Sequence, residues 1–115
     1  MEPDVKYCVD LSRYDVETAK AMLASGRYLY VLFTCQQSIE KMLKALVVQN
    51  TGSFPPKIDV ENDQKEFLAK LNYYYLETRY PRELTEISKQ IKKASAIEFY
   101  NNTKKMLKWL RSKTR

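Results

Sequence analysis

The 115-residue chain carries 20 Lys and Arg against 14 Asp and Glu, a net charge of +6, with 44% hydrophobic and 30% charged residues. A chain of this size buries roughly two-thirds of its unfolded surface, so one domain over residues 1–115 is expected to hold a core without disulfides or a structural metal. With no histidine and only two cysteines, Cys8 and Cys35, the sequence excludes histidine triads, a histidine general base, His-ligated metal sites and zinc fingers.

The first apolar period is Val16, Ala19, Met22 and Leu23. Ser12 with Asp15 three residues later predicts the start of this helix, and Gly26 its end. Tyr28, Val31, Leu32, Cys35, Ile39, Met42, Leu43 and Leu46 then recur at three- and four-residue steps, a long helix running to the stop at Asn50-Thr51-Gly52. Ser53-Phe54-Pro55-Pro56 is a loop, because proline lacks the N–H and restricts the residue before it. Phe67, Leu68, Leu71, Tyr74, Tyr75 and Thr78 predict a third helix ending at Pro81. Tyr73, Leu76 and Tyr80 make its opposite side apolar as well, so this helix calls for a second covering surface, such as a neighbouring subunit. Leu84, Ile87 and Ile91 suggest a short fourth helix. Ser95-Ala96-Ile97-Glu98 has the form of a capping box opening a fifth, which contains Phe99, Tyr100, Met106, Leu107, Trp109 and Leu110. The expected fold is therefore all-α, an antiparallel up-and-down bundle of four to five helices, with no repeat and no second domain.

No run approaches the ~18 apolar residues of a membrane span, so no membrane partner is expected. Two cysteines 27 residues apart, with no hydrophobic leader ahead of them, fit thiols in a reducing cytoplasm. With glycine only at 26 and 52, there is neither a P-loop nor a dinucleotide fingerprint, both of which need glycine for close backbone approach to phosphate. Met22, Met42, Met106 and Trp109 follow helical spacing and read as core, implying no cofactor; Cys35 lies on the apolar stripe as an inert thiol. Charge is uneven: residues 1–50 hold six Lys/Arg and six Asp/Glu, whereas residues 82–115 hold ten and three. Lys104, Lys105, Lys108, Arg111, Lys113 and Arg115 could meet phosphate or an acidic partner, or simply favour a helix end and solubility.

Three stretches resemble one family, the HEPN domains of bacteria and archaea. Arg13-Tyr14-Asp15-Val16-Glu17-Thr18-Ala19 looks like that family's first-helix pattern. Gly26-Arg27-Tyr28 followed by Phe33 through Leu46 is similar to its Phe…Gln-x-x-Glu-Lys-x-x-Lys-Ala signature, here Gln37, Glu40, Lys41, Lys44 and Ala45. Leu71 through Pro81 resembles its Tyr-rich helix ending in Arg-Tyr-Pro, here Arg79-Tyr80-Pro81. The chain departs from the family after Pro55-Pro56-Lys57-Ile58, where a His-Asp-Leu segment and more helix usually follow; only Asp59–Gln64 precede the next predicted helix.

The resemblance implies a small helical bundle that dimerises. Many relatives are metal-independent ribonucleases in which an arginine and a histidine act together. Here Arg79 stands without a histidine, and Tyr80–Ser95 offer no substitute, since tyrosine titrates far above neutrality and Glu83 or Glu86 far below it. The expected function is thus a non-catalytic HEPN-type domain, homodimeric, acting as the accessory or nucleotide-binding half of a toxin–antitoxin-like module with a nucleotidyltransferase. The alternatives are a HEPN ribonuclease and a basic RNA-binding module. Arg79 could hold a phosphate through its guanidinium, with Gln37, Glu40, Lys41 and Lys44 lining a cleft beside it. Against this, Arg79 could only cap a helix end, and Glu40 and Lys44 could form an ordinary surface pair. Tyr73, Leu76 and Tyr80 are the candidate dimer contacts, tyrosine being favoured at interfaces over a base-stacking role.

Overall fold

The computed structural model describes residues 3–49, 65–66, 69 and 91–114. Three helices carry the architecture there: α1 (Pro3–Ala24), α2 (Tyr28–Gln49) and α3 (Lys93–Arg111). Among the described residues there is no strand, and Lys65, Glu66 and Ala69 are helical and exposed. The loop expected at 53–56, the Tyr-rich helix with Arg79, Tyr73, Leu76 and Tyr80, and Leu84 and Ile87 lie outside the described residues, so the count of four to five helices rests partly there.

α1 begins nine residues earlier than the Ser12 signal suggests. Pro3 suits a first helical position, where its missing N–H costs nothing, and Asp4 favours the first turn. Ser12 is therefore mid-helix and buried, together with Val5, Cys8, Val9, Asp15 and Ala19. The helix stops at a left-handed residue: Gly26 has φ +76°. Its N–H donates to Leu23 O at 3.2 Å and the Arg27 N–H to Met22 O at 2.8 Å, the paired bonds of a Schellman end. This tight reversal folds α2 back antiparallel against α1, and the two share the most extensive packing in the molecule.

α2 packs on both α1 and α3, which touch one another less. Its buried set is accordingly wide: Leu29, Val31, Leu32, Cys35, Ser38, Ile39, Met42, Ala45 and Leu46. All of these but Ser38, with Ala96, Met106, Leu107 and Leu110 of α3, belong to one continuous apolar core, against which Met22 and Trp109 are partly buried. Each large aliphatic side chain removed from water there contributes about 1.5–3 kcal/mol.

α3 begins at Lys93, ahead of the Ser95 capping box. Lys92 is the extended N-cap residue and supplies no side-chain bond, while Ser95 lies inside the first turn. Ile91 is buried but non-helical, so the short fourth helix does not extend through it. At the other end Gln49 Nε2 donates to Lys113 O at 3.1 Å, joining the C-terminal ends of α2 and α3. These two helices therefore run in the same sense, with α1 opposed to both.

Candidate functional site

The family-like run on α2 divides by helical phase. Ser38, Ile39, Met42 and Ala45 face the core, whereas Gln37, Glu40 and Lys44 are exposed on the opposite side. Lys41 sits at the border and does not point outward with them. Its Nζ reaches across to Asp15 Oδ2 at 2.5 Å, with the lysine side chain 33% and the aspartate 10% exposed. One turn away Ser12 Oγ donates to Ser38 O at 2.8 Å. α1 and α2 are thus fastened by two neighbouring polar contacts set into an otherwise apolar seam, and each group finds the partner that makes its burial tolerable.

Glu40 accepts a hydrogen bond from Gln36 Nε2 at 3.1 Å. No Glu40–Lys44 ion pair forms among the described residues, so the alternative reading of these two as an ordinary surface pair is not met. Gln37 and Lys44 thus share an exposed face with Glu40, while Lys41 is committed to Asp15. Whether Arg79 lies beside them falls outside the described residues. Sequence reasoning assigned Asp15 to a helix cap; its placement with Ser12 and Ala19 on one helical face was the signal that it points inward and needs a cation.

Deeper in the core, burial pushes the Cys35 thiol from 9.0 up to about 11; the neighbouring Thr103 hydroxyl pulls weakly the other way without a well-formed hydrogen bond. Cys35 is therefore protonated at neutral pH and is no nucleophile, as expected for a thiol on the apolar stripe. Cys8 is also a free, buried thiol. Tyr100 is held above its ordinary 10.0, first by burial and then by the nearby Cys35. Among the described residues no cluster of three His, Cys, Asp or Glu could hold a metal, and no helix is long and apolar enough to cross a membrane.

A hairpin of two long helices clamped by an Asp–Lys pair, with a third helix laid along the second, is the helical class to which the motifs point. The HEPN domain model matches residues 5–62, which span nearly all of α1 and the whole of α2, and the chain belongs to the HEPN domain family. Among solved structures it is similar to the crystal structure of TT1696 from Thermus thermophilus, at 22% identity and a TM-score of 0.81. That match covers 96% of this chain and 98% of the other, and it establishes a shared fold. No curated protein matches the chain.

Proposed function

We propose that this HEPN-family chain is a non-catalytic, dimeric helical module that forms the substrate- or nucleotide-binding half of a two-component system with a nucleotidyltransferase. The observation that carries the non-catalytic reading is that Arg79 stands in a sequence without histidine; the Lys41–Asp15 pair bears on the binding face instead, because it withdraws Lys41 from the residues free to meet a ligand. The buried Cys35 thiol, held protonated at neutral pH, supports the non-catalytic reading, because it supplies no group titrating near neutrality. Gln37, Glu40 and Lys44 present polar groups on one exposed face of α2, suited to meeting a partner or a ligand phosphate. The transferase partnership follows from the family resemblance.

The test is co-expression with a candidate nucleotidyltransferase from the same genome, followed by low-salt purification and light scattering. Co-elution of the two, with a dimer of this chain in isolation, is the expected result. Recovery of this chain alone and monomeric counts against the proposal. Incubation with total RNA in the presence of a chelator separates the enzymatic alternative: degradation that Arg79→Ala abolishes would replace the accessory reading with a metal-independent ribonuclease.

A further inference from the structure

An open groove of about 580 Å³ lies where the α1–α2 reversal meets the start of α3. Its size falls within the range of about 300–1,000 Å³ typical of ligand clefts. Leu23, Ala24 and Ile97 give it an aliphatic lining, Lys20 and Lys93 two ammonium groups, and Tyr28 and Tyr100 two phenols. Among the described residues no carboxylate lines it. Ile97 is 37% exposed, a large aliphatic side chain left to solvent beside two cations.

The groove does not end at Lys93. Lys93, Ile97, Tyr100, Lys104, Lys108 and Arg111 follow one another at three- and four-residue steps, so one side of α3 carries a cationic stripe leading away from the groove. Glu98, the single acidic residue of α3, falls on a different side of the helix. An occupant matching this surface needs negative charges in series and one apolar group at the groove.

A single-stranded nucleic acid would supply the charges, but it binds such tracks by stacking bases on open aromatic faces. Of the aromatic rings on this side of the molecule, those of Tyr100 in the groove and Trp109 on α3 each carry a lysine over one face. Lys104 Nζ sits 4.6 Å from the Tyr100 ring centroid and Lys113 Nζ 5.1 Å from that of Trp109. An aliphatic lining, with the Tyr100 ring already covered by Lys104, suits a side chain better than a base.

We infer that the groove and the α3 stripe dock an acidic polypeptide segment carrying one bulky aliphatic residue. That residue enters over Leu23 and Ile97, and flanking carboxylates meet Lys20, Lys93 and Lys104. The inference rests on the reading of this chain as one half of a protein pair only for the source of the segment. Its test uses this chain alone, so its failure is distinct from failure of transferase co-purification.

The probes are short fluorescein-labelled peptides of alternating Asp and Glu with a central Leu, the same peptide with a central Ser, a neutral peptide with the Leu, and an oligouridylate of similar length. Anisotropy is read together with amide shifts in the nuclear magnetic resonance spectrum. The acidic Leu peptide is expected to bind roughly tenfold more tightly than the Ser version, because the aliphatic side chain is removed from water. It should move the amides of Leu23, Gly26 and Ile97. Lys93→Glu should abolish binding while Lys105→Glu, equal in net charge and on another side of α3, leaves it, with helical circular dichroism unchanged in both. Equal affinity for the Leu and Ser peptides, shifts elsewhere on the molecule, no shift with any peptide, or larger groove shifts with oligouridylate would each overturn the inference.

Discussion

Lys41 Nζ on α2 lies 2.5 Å from the Asp15 carboxylate on α1, and the two partners are unequally covered, the aspartate side chain 10% exposed and the lysine 33%. That inequality predicts an asymmetric response. Lys41→Met strands a buried carboxylate and should cost about 1–3 kcal/mol, whereas in Asp15→Ala the lysine can turn to water, costing about 1 kcal/mol or less beyond lost packing. In urea titrations the double variant should resemble Asp15→Ala alone, because the stranded charge is gone. Equal costs for the two single variants would contradict this.

Gly26 holds φ +76°, and the nearest atom to a side chain added there is the Tyr28 hydroxyl at 4.0 Å. Space is available, so the penalty is one of backbone conformation alone. Gly26→Ala should lose about 1 kcal/mol, and Gly26→Asn, which tolerates the left-handed region, should lose less. Chemical denaturation of the two variants checks the order.

The Cys35 thiol gives the protein an alkaline liability. Its folded value of about 11 exceeds the ordinary 9.0, so the unfolded chain releases this proton first as pH rises. Stability should be unaffected by Cys35 below pH 9 and should fall between about pH 9 and 11, the raised Tyr100 adding in the same direction. Cys35→Ala should flatten part of that decline in thermal melts across the window, whatever its effect at neutral pH. An unchanged slope would show that the thiol is not responsible.

Thr103 is fully buried, and its hydroxyl has no hydrogen-bond partner of good geometry. Thr103→Val keeps the shape and removes a desolvated polar group, so it should leave stability unchanged or raise it by about 1 kcal/mol. It should also push the Cys35 thiol higher still, seen as slower alkylation at a given alkaline pH. A marked loss of stability would mean that the hydroxyl is satisfied.

Helix α2 was legible because its apolar spacing and its stops agree: Gly26 precedes it, and the core-facing series from Val31 to Leu46 is unbroken. The starts of α1 and α3 were not. Ser12-x-x-Asp15 has the composition of a cap, yet a serine can sit mid-helix when another element satisfies it, and the Ser38 carbonyl does so. Ser95 misleads in the same way, within the first turn of a helix whose extended N-cap residue, Lys92, supplies no side-chain bond. Local pattern ranks such signals, but tertiary contacts choose between them. For the site, the spacing of Gln37, Lys41 and Lys44 along α2 places the three on one side, and Gln37 and Lys44 are exposed there together with Glu40. The capture of Lys41 by Asp15 did not follow from that spacing, because it depends on the lateral fit of two helices whose paired residues stand 26 positions apart in sequence.

The common direction of α2 and α3, fastened at Gln49 and Lys113, makes the described part of the molecule unequal end to end. At the Gly26 pole two helices present amide groups against one presenting carbonyls; at the far pole the ratio is reversed. Each helix terminus is worth about half a charge, so the three leave a net imbalance of roughly +0.5 at one end and −0.5 at the other. Lys108 and Arg111 sit in the last turn of α3, where they offset the negative end, while Lys20 and Lys93 reinforce the positive one. These three helices therefore present an approaching anion with a preferred end, set by their backbone before any side chain makes contact.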